Sequence, residues 1–508
     1  MTRSLRTDVL VVGAGPTGLM LANVLARRGV DVRILDSTAG PTVQSRALGV
    51  QARSMEIYDQ LGLADRVLAG SARAEAVAPG FGARVFGRVP LGELGAGITP
   101  YPRIHVFEQS RNEQLLADSL AERGVPVLWR HEVQLLDETA EGVSAIIHGP
   151  DGHLTVTARY CVGTDGASST VRRLRGIPFE GITNEHTFYV LDVVGARGLA
   201  VDAINLRPGP EAFLLTFPMG PGGHARLLGT VRDSARGAEL TEEAVRRRLD
   251  RLYGVRYDRA AWFSTYRVHH RIAARFRDGP VFLAGDAAHV HSPVGAQGMN
   301  TGLQDAHNLA VKLADVLVGG APDAYLDRYE AERRPVARRL VASTDRVFGL
   351  VTTDSLLARA FRRVAVSVAA PVATRVLPRV RASSRLFEYI SQVRVHYWLD
   401  PGAKTRAGGR RGAVVGRRLP FTGDNFDVLR SFDWQVHAYG GAHPAIVQGV
   451  GGALGLEVHV FPTHGNRRLR AGWCYLVRPD GFVAAEALPG DAVRVFAAAL
   501  PFAPPFSR

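Results

Sequence analysis

Asp8-Val9-Leu10-Val11-Val12-Gly13-Ala14-Gly15-Pro16-Thr17-Gly18 and, one helix later, Val32-Arg33-Ile34-Leu35-Asp36 are the stretch on which the fold of this 508-residue chain turns. Asp8 to Val12 is a short, nearly unbroken apolar run, the pattern of a strand buried in a parallel sheet. Gly13 to Gly18 punctuates it as a turn, Leu19 to Arg28 has helical spacing, and Gly29 ends that helix. A second strand then finishes at Asp36, so the N-terminus reads as a βαβ unit. Within it Gly13 permits a tight turn, Gly15 lets the backbone approach a pyrophosphate, and Gly18 allows helix to pack on strand. The helix N-terminus faces the phosphates, and Asp36 is placed to accept hydrogen bonds from a ribose hydroxyl. These residues predict a dinucleotide site without choosing between NAD and FAD.

Working outward, Ser45 to Leu61 and Arg111 to Gly124 read as helices, the second feeding a strand at Val125 to Trp129. From Glu132 to Val162 the pattern becomes short alternating strands. That character continues from Phe179 to Val268, with strands at Thr187 to Val194, Ala212 to Phe217 and Arg226 to Val231. A buried-strand signal returns at Val281 to Ala284, followed by a helix from Met299 to Leu317 and a helical segment from Tyr325 to Ser391. The expected fold class is therefore α/β. A Rossmann-like domain (1–178 and 271–395) carries an inserted antiparallel β-rich domain (179–270), and a C-terminal αβ domain (396–508) follows.

Composition narrows the class further. With 46% hydrophobic and 22% charged residues the chain is a globular protein of enzyme size. Cys161 and Cys474, the only two cysteines, supply neither a disulfide framework nor metal-ligand spacing, so no metal is expected. The formal charge of +14 would by itself suggest nucleic acid. Yet of 62 basic residues only Lys312 and Lys404 are lysine, a bias that a GC-rich genome imposes through its codons. Much of the arginine excess lies between Arg328 and Arg418, away from the glycine motifs, and no nucleic-acid partner is expected. No apolar run is long enough for a secretory or membrane-spanning segment, and the cytoplasm is the expected location.

A second glycine-rich site, Gly285-Asp286-Ala287-Ala288-His289 followed by Pro293-Val294-Gly295-Ala296-Gln297-Gly298-Met299-Asn300, resolves the choice of cofactor. A strand ending at Gly285 and Asp286 presents a carboxylate to polyol hydroxyls, and the small residues beyond it admit a flat ring against a helix N-terminus. A third motif runs from Gly163-Thr164-Asp165-Gly166 to Arg172. Together the three resemble the class A flavoprotein monooxygenases of the para-hydroxybenzoate hydroxylase superfamily, in particular the aromatic hydroxylases of polyketide biosynthesis and antibiotic modification. The resemblance covers roughly the first 390 residues. It departs from the pattern at Thr164 and Ser169.

The resemblance implies FAD as the bound dinucleotide, NAD(P)H as a transient co-substrate, and transfer of one oxygen atom of O2 through a C4a-hydroperoxyflavin to a polycyclic aromatic substrate. Baeyer-Villiger insertion, epoxidation and antibiotic inactivation are alternatives within the family, and a non-catalytic binding protein is the alternative outside it. It also implies that Arg46 and Gln109 contact the cofactor, and that Pro293 and Gly295 with Arg46 border the reacting face. Cofactor contacts extend to Gly13, Gly15, Gly18, Asp36, Asp165, Gly285, Asp286, Gly298, Met299 and Asn300. Phe213, Leu215 and Phe217, on one face of a strand, are candidates for the substrate wall, with the loop Tyr101 to His105 beside them. The tail containing Arg478-Pro479-Asp480-Gly481 resembles the thioredoxin-like domain of larger hydroxylases, without C-x-x-C and hence without thiol chemistry. Monomer and dimer both remain open.

Overall fold

The computed structural model describes residues 3–42, 47–91, 95–209, 213–232, 240–291, 297–352, 387–397, 414–441, 443–462, 466 and 468–503. Arg46, Pro293 and Gly295 lie outside the described residues, as does most of the helical reading beyond 352.

The first sheet is built around the strand Gly152–Gly163. Its first half pairs antiparallel with Gly142–Gly149, while its end pairs in parallel with Val281–Leu283. Its other edge pairs in parallel with Arg3–Val12, which pairs in turn with Val32–Asp36. The register sets Val12 beside Gly163 and Gly163 beside Leu283. Three strands that are remote in sequence therefore end together, and the turns after them share the carboxyl edge of the sheet, where open α/β sheets bind ligands. Helix α1 (Pro16–Arg27) packs its buried residues Leu19 to Leu25 over this sheet. Helices α2 (Ala52–Gln60), α3 (Ala64–Gly70) and α4 (Gln109–Glu122) complete the first layer. The expected helix from Ser45 begins only at Ala52, because Gly49–Val50 pairs as a short strand with His105–Val106. Short α5 (Thr170–Leu174) follows the third motif.

The second sheet has nine strands and is largely antiparallel, its long central pair being Phe179–Val194 and Arg259–Ala273. It is not a single insertion at 179–270. Ala76–Phe81, inside the segment assigned to the first domain, pairs with Ala203–Pro208 and carries two further short strands into this sheet. Pro79 and Gly80 mask that strand in the sequence. One face of the sheet packs Leu191, Leu214 and Leu227 on helix α6 (Glu242–Tyr253). This helix was not foreseen, although Thr241 caps its N-terminus and Gly254 (φ 61°) closes it in the left-handed region. The opposite face, with Val190, Phe217 and Leu228, turns toward the first domain.

Helix α7 (Gly298–Leu317) is buried over most of its length and runs beside α1, and α8 (Asp327–Thr352) packs outside it. The C-terminal domain is a β-α-β-β-β-α unit of four strands with α9 (Pro444–Leu454) and α10 (Pro489–Ala497). Its parallel pair Gln435–Tyr439 and Glu457–Phe461 continues antiparallel into Trp473–Val477 and Val483–Ala487, a thioredoxin-like arrangement. Cys474 is buried within it, and burial pushes its thiol up to about 11, consistent with an inert side chain. Among the described residues no helix is long and apolar enough to cross a membrane.

Candidate functional site

At the carboxyl edge of the first sheet the three motifs interlock by atomic fit. Gly13 takes φ +104°, and a Cβ there would lie 2.6 Å from the Thr164 and Asp165 backbone. A Cβ on Gly18 would lie 1.9 Å from the Gly13 carbonyl oxygen and 2.5 Å from Thr164 Oγ1. Thr164 Oγ1 donates to the Gly13 carbonyl (2.7 Å), closing the first turn on the third motif. Thr17 reaches the other way, its Oγ1 lying 2.4 Å from the Cβ positions of both Gly285 and Gly302. The glycines therefore mark where one motif's backbone seats another motif's side chain.

Gly15 is different. Its φ of −71° suits any residue, and a Cβ would meet no atom of the described residues within 4 Å. It faces a cleft of about 900 Å³, which Asp36, Gln109, Asp165, Asp286, Gly298 and Met299 also line. That volume is at the upper end of the range for small-molecule pockets, roughly 300–1,000 Å³. Two long helices, α1 and α7, start at this cleft with no side chain capping either N-terminus. Unbonded N–H groups and the helix dipole favour an anionic ligand there. An open wall at Gly15, two helix starts and carboxylates at both Asp36 and Asp286 fit a dinucleotide. Asp36, Thr38, His131 and Glu132 would border its adenosine end. Gln109, Gly298 and Met299 would lie toward its ring system.

Several side chains do other work than the sequence suggested. The Asp36 carboxylate accepts from Ala14 N–H (2.7 Å) and from Thr38 (2.8 Å), so it shapes the first turn as well as facing the cleft. Asp165 lines the cleft, but its carboxylate accepts from Ser169 Oγ and from the N–H groups of Thr170 and Val171, capping α5. Burial raises its pKa despite those bonds. Asn300 does not line the cleft. Its amide donates to Gly49 O (2.7 Å), while its Oδ1 accepts from Gln51 N–H and Ser54 Oγ, tying the start of α7 to the start of α2. Arg172 is buried and donates to Ala287 O and Ala167 O with its plane 3.8 Å from the Phe179 ring centroid, so it joins the second and third motifs.

The substrate wall also needs correction. Of the three strand residues only Phe217 reaches the cleft. Phe213 and Leu215 pack with Phe188 and Tyr266, and it is Tyr266 that lines the cleft, with Leu228. Tyr101 packs against Phe387 and Val393 instead. Arg267, His269 and His291 line the cleft too and were missed. Arg267 and His269 lie on the strand Arg259–Ala273 and His291 follows the short strand His289–Val290, and these reach the cleft only through tertiary packing, which alternation along a strand does not reveal.

Beneath the Gly285–Asp286 turn lies a buried ionic set. Asp305 accepts from His289 Nε2 (2.7 Å), Arg333 Nε (2.6 Å) and the Gly285 N–H (3.3 Å). Burial alone would raise its pKa, but Arg333 and His289 outweigh that and hold the carboxyl below its usual range. Arg333→Met is expected to destabilise the protein by about 3–5 kcal/mol, because it strands a buried carboxylate beside the turn. Denaturant unfolding of the variant checks this, and a loss under about 1 kcal/mol would remove Arg333 as its support.

Comparison with known proteins agrees with the architecture. Residues 6–344 match the family model described as FAD binding domain. The 6-methylpretetramide 4-monooxygenase of Streptomyces rimosus is 37% identical over 82% of this chain and 74% of its own length. A rifampicin monooxygenase of Rhodococcus hoagii is 31% identical over 94% and 95%. The solved structure of OxyS, an anhydrotetracycline hydroxylase from Streptomyces rimosus, superposes with a TM-score of 0.76 at 31% identity, covering 98% of each chain. The glycine positions that interlock here and the extent of those matches lead to one conclusion: this chain belongs to the FAD-binding-domain family and is an FAD-dependent monooxygenase.

Proposed function

We propose that the chain hydroxylates a polycyclic, polyketide-like aromatic molecule with O2 and NAD(P)H as co-substrates. The observation that carries this reading is the wall opposite the dinucleotide motifs, where Phe217, Leu228 and Tyr266 face the same cleft as Met299 and Gly298. A broad apolar and aromatic wall favours a flat ring system by area burial and ring stacking. The relatives named for tetracycline precursors and rifampicin, both multi-ring molecules, support it. When bound, FAD supplies reduction by NAD(P)H and activation of O2. The chain's own part is to hold the dinucleotide through the Gly13 to Gly18 turn and Asp286, to seat the substrate on the sheet face, and to keep water from the reacting edge. By resemblance, Arg46, Pro293 and Gly295 border that edge.

Incubating the FAD-loaded enzyme with NAD(P)H, isotopically labelled O2 and a panel of polycyclic phenols tests the proposal. The expected product carries one labelled oxygen on an intact ring system. A ring-expanded ester or lactone from a ketone-bearing member of the panel would establish Baeyer-Villiger insertion instead. Peroxide release with every phenol, and no oxygenated product, would overturn hydroxylation of this class.

A further inference from the structure

The C-terminal domain touches the first domain through a buried polar set whose size exceeds what simple packing requires. Arg478 donates to both oxygens of Glu332 on α8 (2.7 and 3.0 Å) and to both oxygens of Asp480 (2.9 and 2.6 Å). Lys312 on α7 donates to Glu332 (2.8 Å) and to Asn308 Oδ1 (2.9 Å). Asn308 Nδ2 donates to Glu332 (2.8 Å) and lies 3.3 Å from Asp480. From α2, Arg53 donates to Asp480 O (2.7 Å) and Gln60 to Pro479 O (3.0 Å). All of these side chains are buried. Burying such a set costs solvation that only good geometry returns, and ion pairs of this kind bring geometric constraint more than stability.

What they constrain is the pair α2 and α7, of which α7 begins at the cofactor cleft and α2 follows directly on the cleft-lining stretch Ala47 to Gly49. Asn300 ties the start of α7 to Gly49 and Gln51 at the start of α2. Eight residues further along α7, about 12 Å at 1.5 Å per residue, Asn308 meets the Asp480 turn that also holds Arg53 near the start of α2. The two helices are thus fastened to each other at the cleft by their own residues and behind it by the C-terminal domain. A third fastening joins α1, where Arg28 at its C-terminal end donates to the Phe432 carbonyl and to Asp315 of α7.

We propose that the C-terminal domain is a brace for the flavin site, with Arg478 and Asp480 as positioning residues that set the N-terminus of α7 and, through α2, the Ala47 to Gly49 stretch against the dinucleotide. Without thiol chemistry, this assigns the thioredoxin-like domain a role in the reaction it flanks.

The full-length chain carries the test. Arg478→Lys keeps a cation between Glu332 and Asp480 but loses the planar fork that meets both. It is expected to raise the FAD dissociation constant about tenfold, within the range for coupling through a packed network, and to shift the visible absorption of flavin bound at saturation. Arg494→Ala, on the exposed side of α10, is expected to leave both unchanged. In the wild-type protein, linkage requires the reciprocal effect. Adding FAD must raise hydrogen-exchange protection in Trp473–Val477 and Val483–Ala487 as well as around Gly13 to Gly18. A folded Arg478→Lys variant with lower thermal stability but wild-type FAD affinity and spectrum would reduce the domain to a docked appendage and overturn the proposal. So would FAD protecting the glycine turn while leaving the two C-terminal strands unchanged. That second measurement decides the matter even where the variant fails to fold.

Discussion

Gly15→Val is expected to yield a chain that folds with little loss of stability but binds FAD roughly 10- to 100-fold more weakly, as a steric overlap of about 1–3 kcal/mol implies. The protein has no internal reason for glycine at this position. Its φ of −71° is open to any residue, and no atom of the described residues lies within 4 Å of a Cβ there. Valine is a poorer N-cap than glycine, so a stability loss of up to about 1 kcal/mol is anticipated. Gly18→Ala is the matched control with the opposite outcome. Its Cβ at 1.9 Å from the Gly13 carbonyl oxygen must move helix or strand, and about 3 kcal/mol or more of apoprotein stability should go with it. Titration of apoprotein with FAD, beside denaturant unfolding without it, separates the two effects. If Gly15→Val lost as much stability as Gly18→Ala, Gly15 would be a packing position and the cleft beside it would lose its claim to the pyrophosphate.

Acid should loosen the protein well before its carboxylates titrate. His307 on α7, edge-on to Phe432, and His437 in the C-terminal sheet are both buried, and burial lowers each pKa from 6.5 to about 3. In the unfolded chain they bind protons as pH falls through 6.5, while in the native state they stay neutral, so stability falls with pH between those limits. At pH 5 each contributes a loss of about 2 kcal/mol. Asp315 acts in the opposite sense. Burial raises its pKa to about 6, so the native state takes up a proton first and regains about 1 kcal/mol at pH 5. The lowered carboxyls of Asp305 and Asp480 begin to cost stability only as pH falls through the ordinary carboxylate range, below this window. His307 and His437, less Asp315, give a loss of about 3 kcal/mol between pH 7.5 and pH 5, and His105 and His396, which burial lowers to about 4, deepen it in the same sense. Urea midpoints at the two pH values measure it, and His437→Gln should recover about 2 kcal/mol of the loss. A flat profile would mean that neither His307 nor His437 is held neutral.

His307 and His437 both lie in or against the C-terminal domain, so the acid effect should reach the flavin through the same contacts as the brace. That coupling was invisible in the sequence. His437 stood there as one residue of a mixed αβ tail, and Asp480 as part of a turn motif known only by resemblance.

The two kinds of evidence divide along a physical line. Local pattern determined the βαβ start, the order of the three glycine motifs and the α/β class, because each follows from the backbone demands of a few adjacent residues, and the FAD chemistry came with the resemblance those motifs carry. Gly13 needs a positive φ, a turn needs small residues, and a parallel strand needs an apolar run. Helix α6 was legible too, through its Thr241 and Gly254 caps, but was passed over in a region read as strand throughout. Tertiary structure alone decided which glycines seat protein and which face ligand. It alone moved Ala76–Phe81 into the second sheet, showed the Asn300 side chain tying α7 to α2 and Arg172 tying two motifs together, and set Tyr266 rather than Phe213 in the cleft wall. The arginine excess shows the division most clearly. Codon bias accounts for how many arginines there are. Where Arg53, Arg172, Arg226, Arg333 and Arg478 are buried depends on carboxylates and carbonyls far away in the chain, and a charge acquires its partner only when folding brings that partner within hydrogen-bond reach.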